Sequence, residues 1–406
     1  MDSARLARFS ALPPLNRANQ YSEKSRCKIC GGHAAAFDIA DFYKYCNSGN
    51  FYEFGLSGTI VSYLRCPDCG FIFTGFFDDW SAEEFSKFIY NEDYIRVDPE
   101  YLSIRPERMA REWAVRFAGC DSVRILDYGS GAGIFAERLR SAGVNIISYD
   151  PFSSPCRPEG RFDVVTCFEV LEHAPRPHDM LKDMKGFLDT GGCILFSTGI
   201  QPKDIMERRC SWWYIGPRNG HVSIFTENAL ACLAEAAGLR LYMGHGTHAF
   251  VPGVPSPAAL AVLNASGPWV HRLVLGAPSA VDAGNAHAWH GIETAMQGRY
   301  RWTRVPQLEW RIAAVAAGVA QIQVVIPFLI EVEQGFAARC TLTVGSQRKP
   351  LSVADNRLVA TVQANDAMIL HITLHTPPPR SPSDLRGAPD PRPLGLAIRL
   401  RDGGGE

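Results

Sequence analysis

The stretch VRILDYGSGAGIFAERLRSAG, beginning at Val123, limits the fold more than any other part of the chain. Val123 to Leu126 reads as a short apolar strand. Gly129, Gly131 and Gly133 then alternate through a turn that needs backbone freedom which side-chain-bearing residues lack. Ile134 to Ala142 carries a helical pattern. Strand, glycine turn and helix in immediate succession form the opening unit of a doubly wound α/β domain. Three more strands fit the same domain: NIISYD ending in Asp150, FDVVTCF, and CILFSTG after the Thr190-Gly191-Gly192 turn. A helix is expected over roughly Pro99 to Phe117. Another should be N-capped by Thr226, run through Ala237 and end at Gly238.

The chain has 406 residues, enough for two or three domains. Hydrophobic residues make up 46% and charged residues 20%, a globular composition. A net charge of −1 removes the bulk electrostatic case for nucleic acid or an acidic membrane, so no nucleic-acid partner is expected. The first twenty residues lack the apolar core of a signal peptide and read as a disordered leader, 1–20. Ile312 to Ile330 is uncharged over 19 residues, near a spanning length. Yet Ile322, Val324 and Ile326 alternate with Gln321, Gln323 and Val325, which is a strand period, and no transmembrane segment is expected. Most of the 12 cysteines sit singly in apolar runs, among them Cys120, Cys167, Cys193 and Cys232. That usage suits a reducing cytoplasm.

Four cysteines are paired instead. Cys27 and Cys30 form CKIC before Gly31, and Cys66 and Cys69 form CPDC before Gly70. Two such knuckles suit one tetrahedral zinc with a structural role, because four thiolates leave no open position. The zinc-binding segment is set at 21–98, with His33 and Cys46 as spare ligands.

Residues 252–288 are rich in Pro, Ala and Gly and read as a linker. Beyond it the hydrophobic period changes to two, in EWRIAAV, QIQVVIPFLIEV, ARCTLTV, RLVATVQA, MILHITLH and LGLAIRL. Short strands at this spacing indicate an all-β sandwich, 289–406.

Asp127-x-Gly-x-Gly-x-Gly, followed by FDVVTCFEVLEH and later GHVSIF, resembles the class I S-adenosylmethionine-dependent methyltransferases. The fold class implied is a doubly wound, Rossmann-like α/β sheet over 99–251. The resemblance implies that Gly129, Gly131 and Gly133 bring the backbone to the methionine part of the cofactor. It implies that Asp127 anchors the turn and the amino end, that Asp150 binds the ribose hydroxyls, and that Phe168 lines the cleft. Only PFSSPCRPEGRF separates Asp150 from the next strand, so the family's usual adenine-contacting acid has no counterpart. The knuckle pair resembles the zinc-binding segment of deoxysugar C-methyltransferases, whose E-H-x-S-x-F histidine serves catalysis. Here His221, Ser223 and Phe225 match and the glutamate does not. The C-terminal module loosely resembles β-sandwiches of surface-polysaccharide enzymes through Arg301-Trp302-Thr303 and Asp390 to Gly395. Trp302 could stack on a sugar or fill a core.

FEVLEH, Phe168 to His173, places two carboxylates and an imidazole at the end of an apolar strand. Glu169, Glu172 and His173 stand at i, i+3 and i+4, on one face if the strand passes into a helical turn. Pro175 and Pro177 close that turn, and His221 is a fourth group. Two carboxylates and two imidazoles can hold a divalent metal such as magnesium or manganese. The E-x-x-E-H pattern resembles that of metal-assisted O-methyltransferases acting on vicinal hydroxyls. The resulting expectation is methyl transfer to a hydroxyl of a sugar, nucleotide-sugar or glycan acceptor, in association with polysaccharide-synthesis enzymes. Its alternatives are a sugar C-methyltransferase with His221 as base, an O-methyltransferase of a small phenolic or lipid acceptor, and an inactive glycan-binding adaptor.

Overall fold

Apolar runs and glycine turns lay out a chain of short strands, followed in a computed structural model that describes residues 25–46, 54–153, 156–275, 286–295, 298–313, 319–354, 356–363, 369–386 and 389–399. The expected leader lies outside them. The chain divides into two units, the first comprising Met1–Leu233, Gly246–His248 and Ser256–Ser266, the second Ala234–His245, Ala249–Pro255 and Gly267–Glu406.

The first unit begins with β1 (Ala35–Asp41), β2 (Ile60–Arg65) and β3 (Ile72–Phe73). Helix α1 (Ala82–Phe88) starts in a capping box, in which Ser81 Oγ accepts from the Glu84 amide and Glu84 returns the bond. After α2 (Tyr94–Val97) and α3 (Ile104–Arg116) comes the parallel sheet. Its strands are β4 (Ile125–Tyr128), β5 (Ile146–Tyr149), β6 (Phe162–Phe168) and β7 (Leu188–Ser197), in the order β5-β4-β6-β7. Helix α4 (Ile134–Ser141) follows the glycine turn and α5 (Pro177–Phe187) follows β6. The doubly wound α/β expectation therefore holds. Strands β4 and β6 are buried almost throughout, as parallel strands are.

The boundary expected at 98/99 has no counterpart in this division. Strand β8 (Ser223–Ile224) leaves the parallel sheet's part of the chain and pairs antiparallel with β3, Ile72 opposite Ile224. The order β1-β2-β3-β8 makes one sheet from both sequence segments. One core joins Phe37, Tyr63 and Phe77 to Tyr214, Val222 and Ile224. Short α6 (Ile205–Arg208) precedes this core's Trp212, and α7 (Glu227–Ala236) follows β8. The α7 start is as expected, with Thr226 Oγ1 accepting from the Ala229 amide at 3.0 Å.

The reading of 252–288 as linker is corrected. It contains α8 (Pro257–Ser266), whose Pro257 occupies a first-turn position while Ser256 Oγ caps the Ala259 amide. Proline at a helix start costs no hydrogen bond, so composition alone misled.

Strands β9 (Arg240–Met243) and β10 (His248–Val251) follow α7. The second unit's β11 (Trp269–Val274) lies antiparallel to β9 and parallel to β15 (Val319–Glu331). Around β15 are β12 (Trp289–Ala295), β13 (Gly298–Thr303), β18 (Ser352–Ala354), β19 (Arg357–Gln363) and β21 (Leu396–Arg399). A second sheet orders β14 (Gln307–Ala313), β20 (Ile369–His375), β16 (Thr341–Val344) and β17 (Gln347–Pro350). Both sheets feed one core, including Ile322, Ile326, Leu342, Ile372 and Ile398. Trp302 belongs to that core at 8% exposure and presents no face to a sugar, which corrects the stacking alternative. Among the described residues no helix is long and apolar enough to cross a membrane.

Candidate active site

The glycine turn follows from backbone angles only glycine adopts at little cost. Gly129, Gly131 and Gly133 have φ of 73°, 52° and 76°. The Gly129 amide donates to Tyr149 O at 2.8 Å, tying the turn to β5. A Cβ on Gly129 would stand 2.6 Å from Val170, whereas one on Gly131 would meet nothing within 4 Å. Gly131 thus opens onto free space. Gly129→Ala should accordingly lower stability by about 1–3 kcal/mol, from strain plus the clash. Thermal unfolding beside Gly131→Ala, which lacks the clash, checks it.

Asp127 is buried and accepts from Thr166 Oγ1 at 3.0 Å. Burial pushes its carboxyl up to about 7. The Asp150 carboxylate accepts from the Gly131 amide at 2.9 Å through Oδ2, and from Phe152 and Ser153 amides through Oδ1. Phe168 packs between Trp113 and Phe135, with ring centroids 5.0 and 5.6 Å away. Asp127, the three turn residues Gly129, Ser130 and Gly131, Asp150 and Phe168 line one cavity of about 750 Å³. That size suits a small-molecule ligand. The open space at Gly131 and the carboxylate of Asp150 fit an S-adenosylmethionine laid along the turn.

Glu169, Glu172, His173 and His221 line the same cavity. One 3-10 turn, Leu171–His173, follows β6. Glu169 precedes it with φ 54°, and Ser197 Oγ donates to its Oε1 at 2.7 Å. The helical face expected for Glu169, Glu172 and His173 therefore does not form. The strained residue turns Glu169 toward the end of β7, outside the trio Glu172, His173 and His221. That trio offers one donor atom from each residue, all within 4.8 Å of one another.

Burial, with Glu172 nearby, pushes Glu169 up to about 7. Glu172 is wholly buried, and burial raises it likewise to about 7. Neither of its carboxylate oxygens has a hydrogen-bond partner. Thr198 and Tyr214 hydroxyls pull its pKa down without reaching hydrogen-bond geometry on it. His173 Nδ1 stands 3.2 Å from Gly220 O, and His221 Nδ1 stands 2.7 Å from Tyr214 O. A carbonyl only accepts, so Nδ1 carries the hydrogen in both rings and Nε2 keeps its lone pair. His173 Nε2 lies 3.9 Å from Glu172 Oε1. Burial pushes His173 down to about 4 and His221 well below its ordinary value. Two neutral imidazoles and an unpartnered buried carboxylate are the donor set of a divalent cation site.

Sequence reasoning missed the groups that hold this trio. Tyr90 OH stands 3.2 Å from His173 Nδ1, the Tyr214 ring lies 4.4 Å from that of His221, and Cys46 Sγ stands 3.3 Å from His221 Nδ1. Cys46 is thus remote in role from the four-cysteine set. The run Trp212-Trp213-Tyr214, just ahead of His221, was the available signal. Arg105, paired with both Asp98 oxygens at 2.9 and 2.7 Å, also lines the cavity.

The four paired cysteines converge. Cys27 Sγ and Cys69 Sγ are 3.5 Å apart, as are Cys30 Sγ and Cys66 Sγ. Gly31 and Gly70, at φ 69° and 78°, close the two knuckles. The Ile29 amide points at Cys27 Sγ at 3.4 Å. Contact with the Cys27 sulfur holds Cys66 below the usual thiol range and Cys30 above it. Four sulfurs this close ionise together only around a cation, and the set fits tetrahedral zinc. His33 is not among the grouped donors.

Residues 101–242 match the family model described as a methyltransferase domain. A ubiquinone biosynthesis O-methyltransferase of Bordetella avium (strain 197N) is 29% identical over 34% of this chain and 70% of its own. The same-named protein of Aromatoleum aromaticum is 31% identical over 23% of this chain and 51% of its own. The chain spans about half the length of several curated relatives it matches. Among solved structures, an O-methyltransferase family protein from Burkholderia thailandensis aligns over 44% of this chain and 64% of its own. That alignment has 13% identity and a TM-score of 0.34. Residues 101–242 thus carry a methyltransferase domain, the part of the chain through which it resembles these O-methyltransferases.

Proposed function

We propose that the first unit moves the methyl group of S-adenosylmethionine to a hydroxyl oxygen of an acceptor that carries a second oxygen beside it. The observation that carries this reading is the wholly buried Glu172, both oxygens unpartnered, facing two imidazoles with free Nε2 atoms. Glu172, His173 and His221 hold a divalent ion, and two nitrogen donors favour manganese over magnesium. When bound, that ion supplies charge that lowers the pKa of an acceptor hydroxyl. Asp127, Asp150 and the glycine turn hold the cofactor so that its sulfonium methyl faces the oxygen, which is mainly a gain from orientation. The oxygen bonds to the methyl carbon, the carbon–sulfur bond breaks, and the cofactor leaves as the neutral thioether. The acceptor proton passes to Glu169, whose carboxyl burial has brought near neutrality.

The glycan acceptor expected from sequence gains no support from the relatives, whose printed names concern ubiquinone biosynthesis. Tyr90, Tyr101 and Trp213 line the cavity and suit a planar phenolic acceptor. A catechol-like diol is therefore the first acceptor to test, with a sugar diol as its rival. Cys27, Cys30, Cys66 and Cys69 hold a structural zinc, the second unit is a β-sandwich, and the protein works in the cytoplasm.

Exhaustive chelation should abolish methyl transfer to a catechol panel, and manganese should restore it better than magnesium. Glu172→Gln should lower activity about 100-fold, since it removes the anionic ligand. Activity indifferent to chelator removes the metal and leaves His221 as a metal-free base. Full activity in His221→Ala removes both. Transfer confined to nucleotide sugars revives the glycan reading, and a protein that binds no cofactor is an adaptor.

A further inference from the structure

The two cysteine knuckles each grip one of the two chain segments that supply the cavity's trio. The first knuckle reaches the segment just after His173. The Lys28 ammonium donates to Pro175 O at 3.1 Å and to Thr74 O at 2.9 Å, and it pairs with the Asp78 carboxylate. His178 Nε2 donates to Ile29 O at 2.8 Å, between the two cysteines. The second knuckle reaches the segment just after His221. Thr226 Oγ1 donates to Cys69 O at 2.5 Å, and Asn228 Nδ2 to Asp68 O at 3.3 Å. Gln201 Nε2 bridges Gly70 O and Ile224 O, at 2.9 and 2.8 Å. A Cβ on Gly70 would come within 2.7 Å of Thr226 Cγ2, so knuckle and cap are in close contact.

The two gripped segments also touch each other. The Val222 amide donates to Glu172 O at 2.9 Å, and Ser223 Oγ to Ala174 O at 2.6 Å. Tyr63 OH, from β2 between the knuckles, donates to His221 O at 2.8 Å. The chain from sulfur cluster to trio is thus closed on both sides by buried or half-buried polar bonds.

We propose that the four-thiolate centre is a splint for the active site, joining the knuckles so that Glu172 and His173 keep a fixed spacing from His221. Lys28, His178, Thr226 and Gln201 are positioning residues in this scheme. With the sulfurs linked through one ion, the knuckles cannot separate. With the ion gone, each follows its own loop, and the trio loses its common centre. The proposal rests on the zinc reading given above.

Hydrogen exchange on the full-length protein tests it without any acceptor. Removing zinc under mild conditions should speed amide exchange in residues 170–178 and 220–226 about tenfold or more, while Ile125–Tyr128 of β4 stays protected. Lys28→Met should retain one zinc and bind cofactor as the wild type does. It should raise exchange in 170–178 and weaken manganese binding, read by paramagnetic resonance, about tenfold. Lys28→Arg should recover part of that loss. If Lys28→Met fails to fold, His178→Leu, which lies outside the knuckle, carries the same expectation. A purely structural role would lower the unfolding temperature and leave manganese affinity alone. Zinc-loaded and zinc-free proteins with equal exchange in both segments would overturn the splint alone. Wild type free of zinc would overturn the zinc reading and the splint with it.

Discussion

Alanine in place of Asp150 is expected to abolish most cofactor binding. The carboxylate now joins the glycine turn to the end of β5 through Gly131, Phe152 and Ser153 amides. It also lines the cavity, where a ribose would offer it two hydroxyl donors. Hydrogen bonds to a charged acceptor contribute about 1.5–3 kcal/mol each, so losing two costs ~100-fold or more in affinity. Calorimetry with S-adenosylmethionine checks this, and Asp150→Asn should fall between the two. Unchanged affinity in the alanine variant would place the ribose elsewhere.

Serine in place of Cys66 should have the larger effect on stability. The Cys66 thiol contacts the other sulfurs from a fully buried position, and the hydroxyl that replaces it is a poor zinc ligand. The apparent free energy of binding a structural zinc is on the order of 10 kcal/mol, as large as the whole stability of many domains. The variant should therefore lose its zinc and expose residues 25–98 to proteolysis. Metal analysis and a timed digest read the result, and a zinc-free wild type that resists digestion contradicts it. Acidification should act in the same direction on wild type, because the ligands must give up protons to hold the ion.

The glycine turn, the two knuckles and the Thr226 cap were legible because each depends on residues adjacent in sequence. Gly129 and Gly70 adopt backbone angles dictated by their own lack of a side chain. Glu169 was misplaced for the opposite reason. Its positive φ is imposed by neighbours, with Ser197 taking both its amide and its carboxylate, and no periodicity registers that. The linker reading failed at Pro257, where proline starts a helix instead of preventing one. Trp302 carried no local sign of whether it faced core or solvent; the second unit's packing decides it. Tyr90 meets His173 from 83 positions away and left no local trace, whereas Tyr214 stands only seven positions before His221, where the aromatic run was the signal to follow.

The pairing of β3 with β8 has a consequence for how the protein is made. Ile72 and Phe73 leave the ribosome roughly 150 residues before Ser223 and Ile224, their partners. All four cysteines are already out by then, so zinc can be captured early, on a sheet still missing its last strand. During that interval β3 shows an unpaired edge of two buried-type side chains, an invitation to the wrong neighbour. Under the zinc reading proposed above, metal supply during synthesis, rather than after it, should govern the yield of native protein. Cells starved of zinc while translating should accumulate aggregate that later zinc does not rescue.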